Sequence, residues 1–239
     1  MPPRFYCGEF SAPDAVLTGD ELHHLRAVRR LAPGDAVELF DGRGRLAECT
    51  VRRIGRNRAE LHVGRVTRAP APQGGLTVAT AIPKAGRMDW LVEKVTELGV
   101  AAVWPLVTER SAIAAPGDEK QRGWHRRAIE ACKQCGRLWL PEIALPMTVA
   151  EAAARLGAGR HEVVLLADPS ADAVPLADVG RAAEAEAMVV GFVGPEGGFT
   201  DGEHAALRAA GAVPVRLGPH VLRVETAAVA LAARLAAQG

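Results

Sequence analysis

Apolar and polar positions alternate in short runs through the first 70 residues. Residues 36–40 alternate and end at the Asp41-Gly42 turn. Residues 46–54 and 59–66 follow as two further strands, separated by a turn at 55–58. One interval differs: the spacing over 19–31 predicts a short helix, with Asp20 as its cap and Pro33-Gly34 beyond its end. Residues 69–75, Ala-Pro-Ala-Pro-Gln-Gly-Gly, read as a linker. After it the pattern switches to strands alternating with helices. Strands are expected at 76–82, 100–107, 163–167, 188–193 and 213–217. Helices are expected at 88–98, where Met88, Leu91, Val92, Val95 and Leu98 share a face closed by Gly99, and at 119–136, 150–156, 176–187, 201–210 and 226–237. Such alternation predicts an α/β domain with a mainly parallel sheet covered by helices. The domain boundary falls at 70/71.

Composition sharpens this picture. At 239 residues and 25.2 kDa, the chain buries about 70% of its unfolded surface, enough for one large core or two modest ones. Hydrophobic residues make up 49% and charged residues 24%, which excludes a disordered chain. No run approaches 18 apolar residues, and residues 1–10 lack a signal-type apolar core. Four cysteines are too few for a disulfide scaffold, so a reducing cytoplasm is expected. Net charge is only +1, but it is uneven. Residues 1–70 hold 12 Arg against nine acids (+3), and residues 144–239 hold seven Arg against 11 acids (−4). A positive front suits a polyanionic partner.

Chemistry in a parallel α/β sheet belongs beyond the carboxyl ends of its strands. Three such ends stand out. At 193–199, Val-Gly-Pro-Glu-Gly-Gly-Phe runs into Thr200-x-x-Glu203, a capping box that opens a helix. Glycines there admit close approach of a ligand to backbone, or merely serve the turn. At 217–226, a second Gly-Pro turn leads to Arg223, Glu225 and Thr226 before the last helix. Glu225 suits the helix dipole and Thr226 a cap, whereas a cation at Arg223 runs against local preference and so hints at function. At 105–111, Thr108-Glu109-Arg110-Ser111 follows an apolar strand. Dinucleotide, P-loop and hydrolase-elbow motifs are absent. Cys132-x-x-Cys135 sits on a helix without two further ligands, which argues against zinc, and its setting argues against a redox pair.

Together these segments resemble the RsmE-type ribosomal RNA uridine-N3 methyltransferases of the SPOUT superfamily. The stretches that carry the resemblance are 23–30 with Pro33-Gly34-Asp35, 93–100, 105–111, 130–137, 194–199 with Glu203, and 217–227. Val224 departs from the threonine usual there, so a hydroxyl contact is not carried over at this position, while the backbone is. The resemblance implies a PUA-like β-barrel that grips RNA at 1–70 and, at 71–239, a SPOUT methyltransferase domain with a deep trefoil knot. It also implies a homodimer with its active site near the subunit interface, and S-adenosylmethionine as cofactor. Cofactor-binding positions carried over are Gly194, Pro195, Glu196, Gly197, Leu217, Gly218, Leu222, Glu225 and Thr226, with Leu166 at an earlier strand end.

The implied reaction moves a methyl group from a sulfonium to N3 of a uridine in 16S ribosomal RNA of the small ribosomal subunit. That nitrogen lies on the Watson–Crick edge, so the base must be unpaired or flipped. Its imide proton must leave, and a cation beside the neighbouring carbonyl oxygens eases this; Arg223, Arg110 and Arg137 are the candidates. Charge and position nominate Arg4, His24, Arg26 and Arg30 for the RNA backbone. No metal and no membrane are expected. Two other readings stay open: a non-catalytic RNA-binding or ribosome-assembly protein, which would bind RNA without cofactor, and a related methyltransferase with another RNA target.

Overall fold

The computed structural model describes residues 2–84, 86–111, 116–156, 162–170, 172–179 and 188–235. The chain divides into two compact units, Met1–Ala71 with Cys132–Leu140, and Pro72–Ala131 with Pro141–Gly239. The division after Ala71 falls inside the Pro/Gly-rich stretch. The return of Cys132–Leu140 to the first unit has no marker in the pattern of apolar positions.

The first unit contains β1 (Arg4–Tyr6), β2 (Asp14–Leu17), α1 (Gly19–His23), β3 (Ala36–Phe40), β4 (Arg45–Ile54) and β5 (Ala59–Arg68). The strands form one sheet in the order β1-β3-β4-β5-β2, with β1 parallel to β3 and the other pairs antiparallel. Inward residues Phe5, Leu17, Val37, Leu39, Val51 and Leu61 close its core. Strands β1 and β2, of three and four residues, are too short for periodicity to show. The predicted 19–31 helix is shorter and differently built. Thr18, not Asp20, is the N-cap residue; Asp20 lies in the first turn, where its carboxylate faces the helix dipole. After His23 the helix widens to a π-helical turn over His24–Val28, which keeps both Leu22 and Leu25 inside. Arg30 ends it at φ +53°, and the Leu31 N–H donates to the Leu25 carbonyl at 3.1 Å.

The second unit begins with β6 (Gly75–Ala81), α2 (Arg87–Glu97) and β7 (Ala102–Val107). Helix α3 (Asp118–Cys135) starts there and ends in the first unit. Then come β8 (Glu142–Ile143), β9 (Met147–Thr148), α4 (Val149–Ala154), β10 (Glu162–Ala167), β11 (Val174–Pro175), β12 (Met188–Val193), α5 (Asp201–Ala209), β13 (Val213–Arg216) and α6 (Val224–Leu235). The sheet order is β11-β13-β10-β12-β6-β7-β8, with β9 also on β7, and every neighbouring pair is parallel. The expected parallel α/β sheet is therefore present. Its central strands are apolar on both faces, as burial between helices requires.

Two expected helices change. Residues 176–179 form turns rather than helix, and 180–187 lie outside the described residues. Helix α6 begins at Val224, so Thr226 sits inside its first turn and is not its cap. Arg223 precedes the helix, and its carbonyl accepts the Ala227 N–H at 2.8 Å. Residues 236–237 of the expected helix lie outside the described residues.

Candidate functional site

A cavity of about 460 Å³ opens in the second unit at the carboxyl ends of β10, β12 and β13. Ala167 and Asp168 line it after β10, and Gly194, Pro195, Glu196, Gly198 and Phe199 after β12. Arg216, Leu217, Gly218, His220, Val221 and Leu222 line it at the end of β13. Arg110 closes one side, Asp201 and His204 of α5 another, and Val224 and Ala227 of α6 the floor. The volume and mixed lining suit a small organic ligand with a few fixed polar groups.

Local chemistry builds the wall. After β12 the Gly198 N–H donates to the Pro195 carbonyl at 2.9 Å, and Gly198 takes φ +71°, which a side chain would resist. Phe199 folds back against Gly194, where an added Cβ would stand 3.1 Å from the ring. The ring is buried and meets His204 edge-on at 5.8 Å. Thr200 and Glu203 form the expected capping box at the start of α5. The buried Nδ1 of His204 has no hydrogen-bond partner among the described residues. Arg110 reaches across from the end of β7, its Nη1 donating to the carbonyls of Gly197 at 3.1 Å and Phe199 at 3.3 Å.

Seven of the residues nominated from sequence meet on this wall: Gly194, Pro195, Glu196, Leu217, Gly218, Leu222 and Arg110. Gly197 stands beside it and is held through its carbonyl. Leu166 is 1% exposed and packs in the core, while its successors Ala167 and Asp168 face the cavity. Arg223 is exposed between the wall residues Leu222 and Val224 but does not line the cavity. Glu225 is buried and paired with Arg87 at 3.4 Å, and Thr226 is exposed; neither lines it. Arg137 belongs to the first unit, where burial pulls its guanidinium below the usual arginine range. Val224 contributes an apolar, buried side chain to the floor. Asp168, Arg216, His204 and His220 were not nominated. Asp168 was the readable one, as the first polar residue after an apolar strand.

Of the four residues nominated for RNA, Arg4 is the one engaged within the sheet. Its Nε and Nη2 donate to Glu38 at 2.9 and 2.7 Å, and its side chain is 12% exposed, so it joins β1 to β3. His24 is half-buried, edge-on to Phe5 and in contact with Arg29. Arg26 and Arg30 are exposed. Arg26 donates to the Arg56 carbonyl at 3.1 Å and lines an open hollow with His23, Arg56 and Asn57.

The cysteines are free thiols. Burial pushes Cys132 up to about 12 and Cys49 up to about 11, whereas Cys135 is exposed. Alkylation with iodoacetamide, followed by mass spectrometry, is expected to modify Cys135 and spare Cys132 and Cys49 in the folded chain. Equal labelling of Cys132 and Cys135 would contradict this burial.

Comparison with known proteins agrees with the geometry. Residues 69–236 match a family described as an RNA methyltransferase domain, and residues 17–64 match an RNA methyltransferase PUA domain. The chain is 38% identical over 227 residues to the ribosomal RNA small subunit methyltransferase E of Mycobacterium tuberculosis, covering 92% of this chain and 85% of the relative. It is 31% identical to the protein of that name from Aquifex aeolicus, covering 95% and 96%. A Legionella pneumophila structure in complex with the bound cofactor SAM superposes with a TM-score of 0.89 at 29% identity, covering 100% and 98%. The ribosomal RNA small subunit methyltransferase E of Neisseria gonorrhoeae, bound to S-adenosyl methionine, superposes at 0.86 and 29%, covering 98% and 96%. An RNA methyltransferase domain joined to a PUA domain, with relatedness along nearly the whole length, places this chain in the ribosomal RNA small subunit methyltransferase E family.

Proposed function

We propose that this chain transfers the methyl group of S-adenosylmethionine to N3 of a uridine in 16S ribosomal RNA. The observation that carries the reading is the cavity built by two Gly-Pro loops at the ends of β12 and β13. Its residues fit the cofactor. Pro195, Leu217, Leu222 and Ala227 offer an apolar slot for an adenine, and Gly194 and Gly218 expose backbone beside it. The carboxylates of Asp168 and Glu196 suit a ribose diol and a cationic amino-acid end. When bound, S-adenosylmethionine supplies an electrophilic methyl on a sulfonium with a good leaving group. The protein's part is then mainly orientation and exclusion of water.

The uridine must lose its imide proton, and cations placed at its carbonyl oxygens lower that cost. Arg110 has five donors, of which Nη1 is committed to loop carbonyls. Arg223 stands exposed between two wall residues. We assign charge stabilisation to these two; Arg137, half-buried in the first unit, does not line this wall. We assign RNA backbone contact to Arg26 and Arg30, with His24 beside them.

The trefoil knot is supported by strand order: β12 lies between the earlier strands β6 and β10, and α6 returns to pack on β6, β12 and α2. A homodimer belongs to the proposal as what the family resemblance implies. Action on ribosomal RNA supports a cytoplasmic setting as part of this reading. No helix among the described residues is long and apolar enough to cross a membrane.

The experiment is methyl transfer from labelled S-adenosylmethionine to unmethylated small ribosomal subunits, followed by nucleoside analysis. Label in 3-methyluridine is the expected result. Label in another nucleoside would overturn the uridine-N3 assignment, and a chain that binds RNA but no cofactor would restore the assembly-protein reading.

Two arginine variants separate scaffold from RNA contact. Arg4→Ala leaves the half-buried Glu38 without its partner, and is expected to cost about 1–3 kcal/mol of stability in chemical denaturation. Arg30→Ala is expected to leave cofactor affinity unchanged and to lower the salt slope of RNA binding by about one. Unaltered RNA affinity in Arg30→Ala would reject its role.

A further inference from the structure

We infer that Glu203 is a positioning residue for the cofactor cavity, bracing the 194–200 loop against the end of β7. The inference rests on the function proposed above and deepens it. Glu203 is 7% exposed. Its Oε2 accepts the Thr200 N–H at 2.8 Å, which is the capping-box half of its work. Its Oε1 accepts the Glu109 N–H at 3.0 Å, a bond that spans 94 residues of sequence. The neighbouring Arg110 ties the same loop from the same side, through the carbonyls of Gly197 and Phe199.

A helix cap alone does not call for this arrangement. Helix α4 has the same capping box, built by Thr148 and Glu151, and there the glutamate is exposed and binds the N–H and hydroxyl of Thr148. Burying a carboxylate is costly unless strong donors meet it. At Glu203 two backbone N–H groups from separate segments meet the two oxygens, which makes both bonds charge-assisted and fixes the distance between those segments. The loop so held carries Gly194, Pro195 and Glu196 on the cavity wall. Binding-site backbone must stay within about 0.5 Å of its working position, and remote braces supply that precision.

The test compares three variants of the full chain by calorimetric titration with S-adenosylmethionine and by thermal unfolding. Glu203→Gln keeps the size but offers one acceptor oxygen to two N–H groups. It is expected to raise the Kd about tenfold, in line with the loss of one charge-assisted hydrogen bond, and to lower kcat for methyl transfer. Thr200→Ala removes the other half of the cap but keeps the bridge to Glu109; Glu151→Ala removes the corresponding cap of α4. Both are expected to lower Tm while holding Kd within about twofold. A Glu203→Gln chain that loses Tm like Thr200→Ala yet binds the cofactor like the wild type would overturn the inference.

Should Glu203→Gln not fold, amide exchange of the wild-type chain decides the matter. Cofactor is expected to slow the amides of Glu109 and Thr200 together; slowing at Thr200 with no change at Glu109 would overturn the brace. Wild-type chain that binds the cofactor but leaves ribosomal RNA unmethylated would overturn the substrate reading above and leave Glu203's role standing.

Discussion

Replacing Gly194 by valine is expected to weaken S-adenosylmethionine binding about 100-fold, equivalent to about 2.7 kcal/mol, and to lower methyl transfer in proportion. The first carbon added at Gly194 stands 3.1 Å from Cδ2 and Cε2 of Phe199, closer than ordinary packing allows. Phe199 has little room to yield, since it is 5% exposed and seated edge-on against His204. The two further methyls of valine then have the cavity itself to enter, because Gly194 forms part of its wall. Overpacking and occlusion therefore act together. Gly202→Ala is the matched control. Gly202 lies in the first turn of α5, with only the Thr200 hydroxyl at 3.9 Å from an added Cβ. It is expected to stabilise the helix by about 0.5–1 kcal/mol and to leave cofactor affinity unchanged. Titration calorimetry on both variants checks this. Wild-type affinity in Gly194→Val would remove the 194–199 loop from the binding site.

What was legible from residues alone follows from which forces are local. The central strands β6, β10 and β12 of the second unit are short runs rich in Val, Leu and Ala, so their positions show in a short window. The capping box at Thr200 and Glu203 was readable because three residues of spacing decide it. Other features depended on distant partners. Arg4 looked like a free cation near the front of the chain, but β1 lies parallel to β3 and brings it against Glu38, 34 residues away. Leu166 is the penultimate residue of β10 and faces the core, and only the register of β10 beside β12 and β13 turns Ala167 and Asp168 to the cavity instead. Glu203 read as a local cap, and nothing near it in the chain announces its bond to Glu109. Helix α6 starts two residues early because Val224 finds a buried place on the cavity floor, so tertiary burial prevails over the capping preference of Thr226.

The segment Cys132–Leu140, assigned to the first unit, leads to the largest expected effect on stability. Gly44→Ala is expected to destabilise the chain by about 3–5 kcal/mol, the sum of a backbone and a packing penalty. Gly44 has φ +90°, where a Cβ crowds the following carbonyl oxygen. The added carbon would also stand 2.6–2.8 Å from Cζ2, Cε2 and Nε1 of Trp139. A flat, half-buried indole cannot bend aside as the end of a long chain can. Its backbone is pinned as well: the Gly44 N–H donates to the Leu138 carbonyl at 3.0 Å, and the Leu140 N–H to the Gly42 carbonyl at 3.0 Å. Gly34→Ala isolates the backbone share, since Gly34 has a similar φ of +97° with nothing within 4 Å of an added Cβ. That variant is expected to cost about 1–2 kcal/mol. Urea unfolding of both variants gives the packing share as their difference. For a chain of this size the Gly44→Ala deficit corresponds to a Tm lowered by about 10 °C. Equal losses for the two variants would mean that Trp139 does not hold Gly44 closely, and that Cys132–Leu140 is not packed against the β3–β4 turn as described.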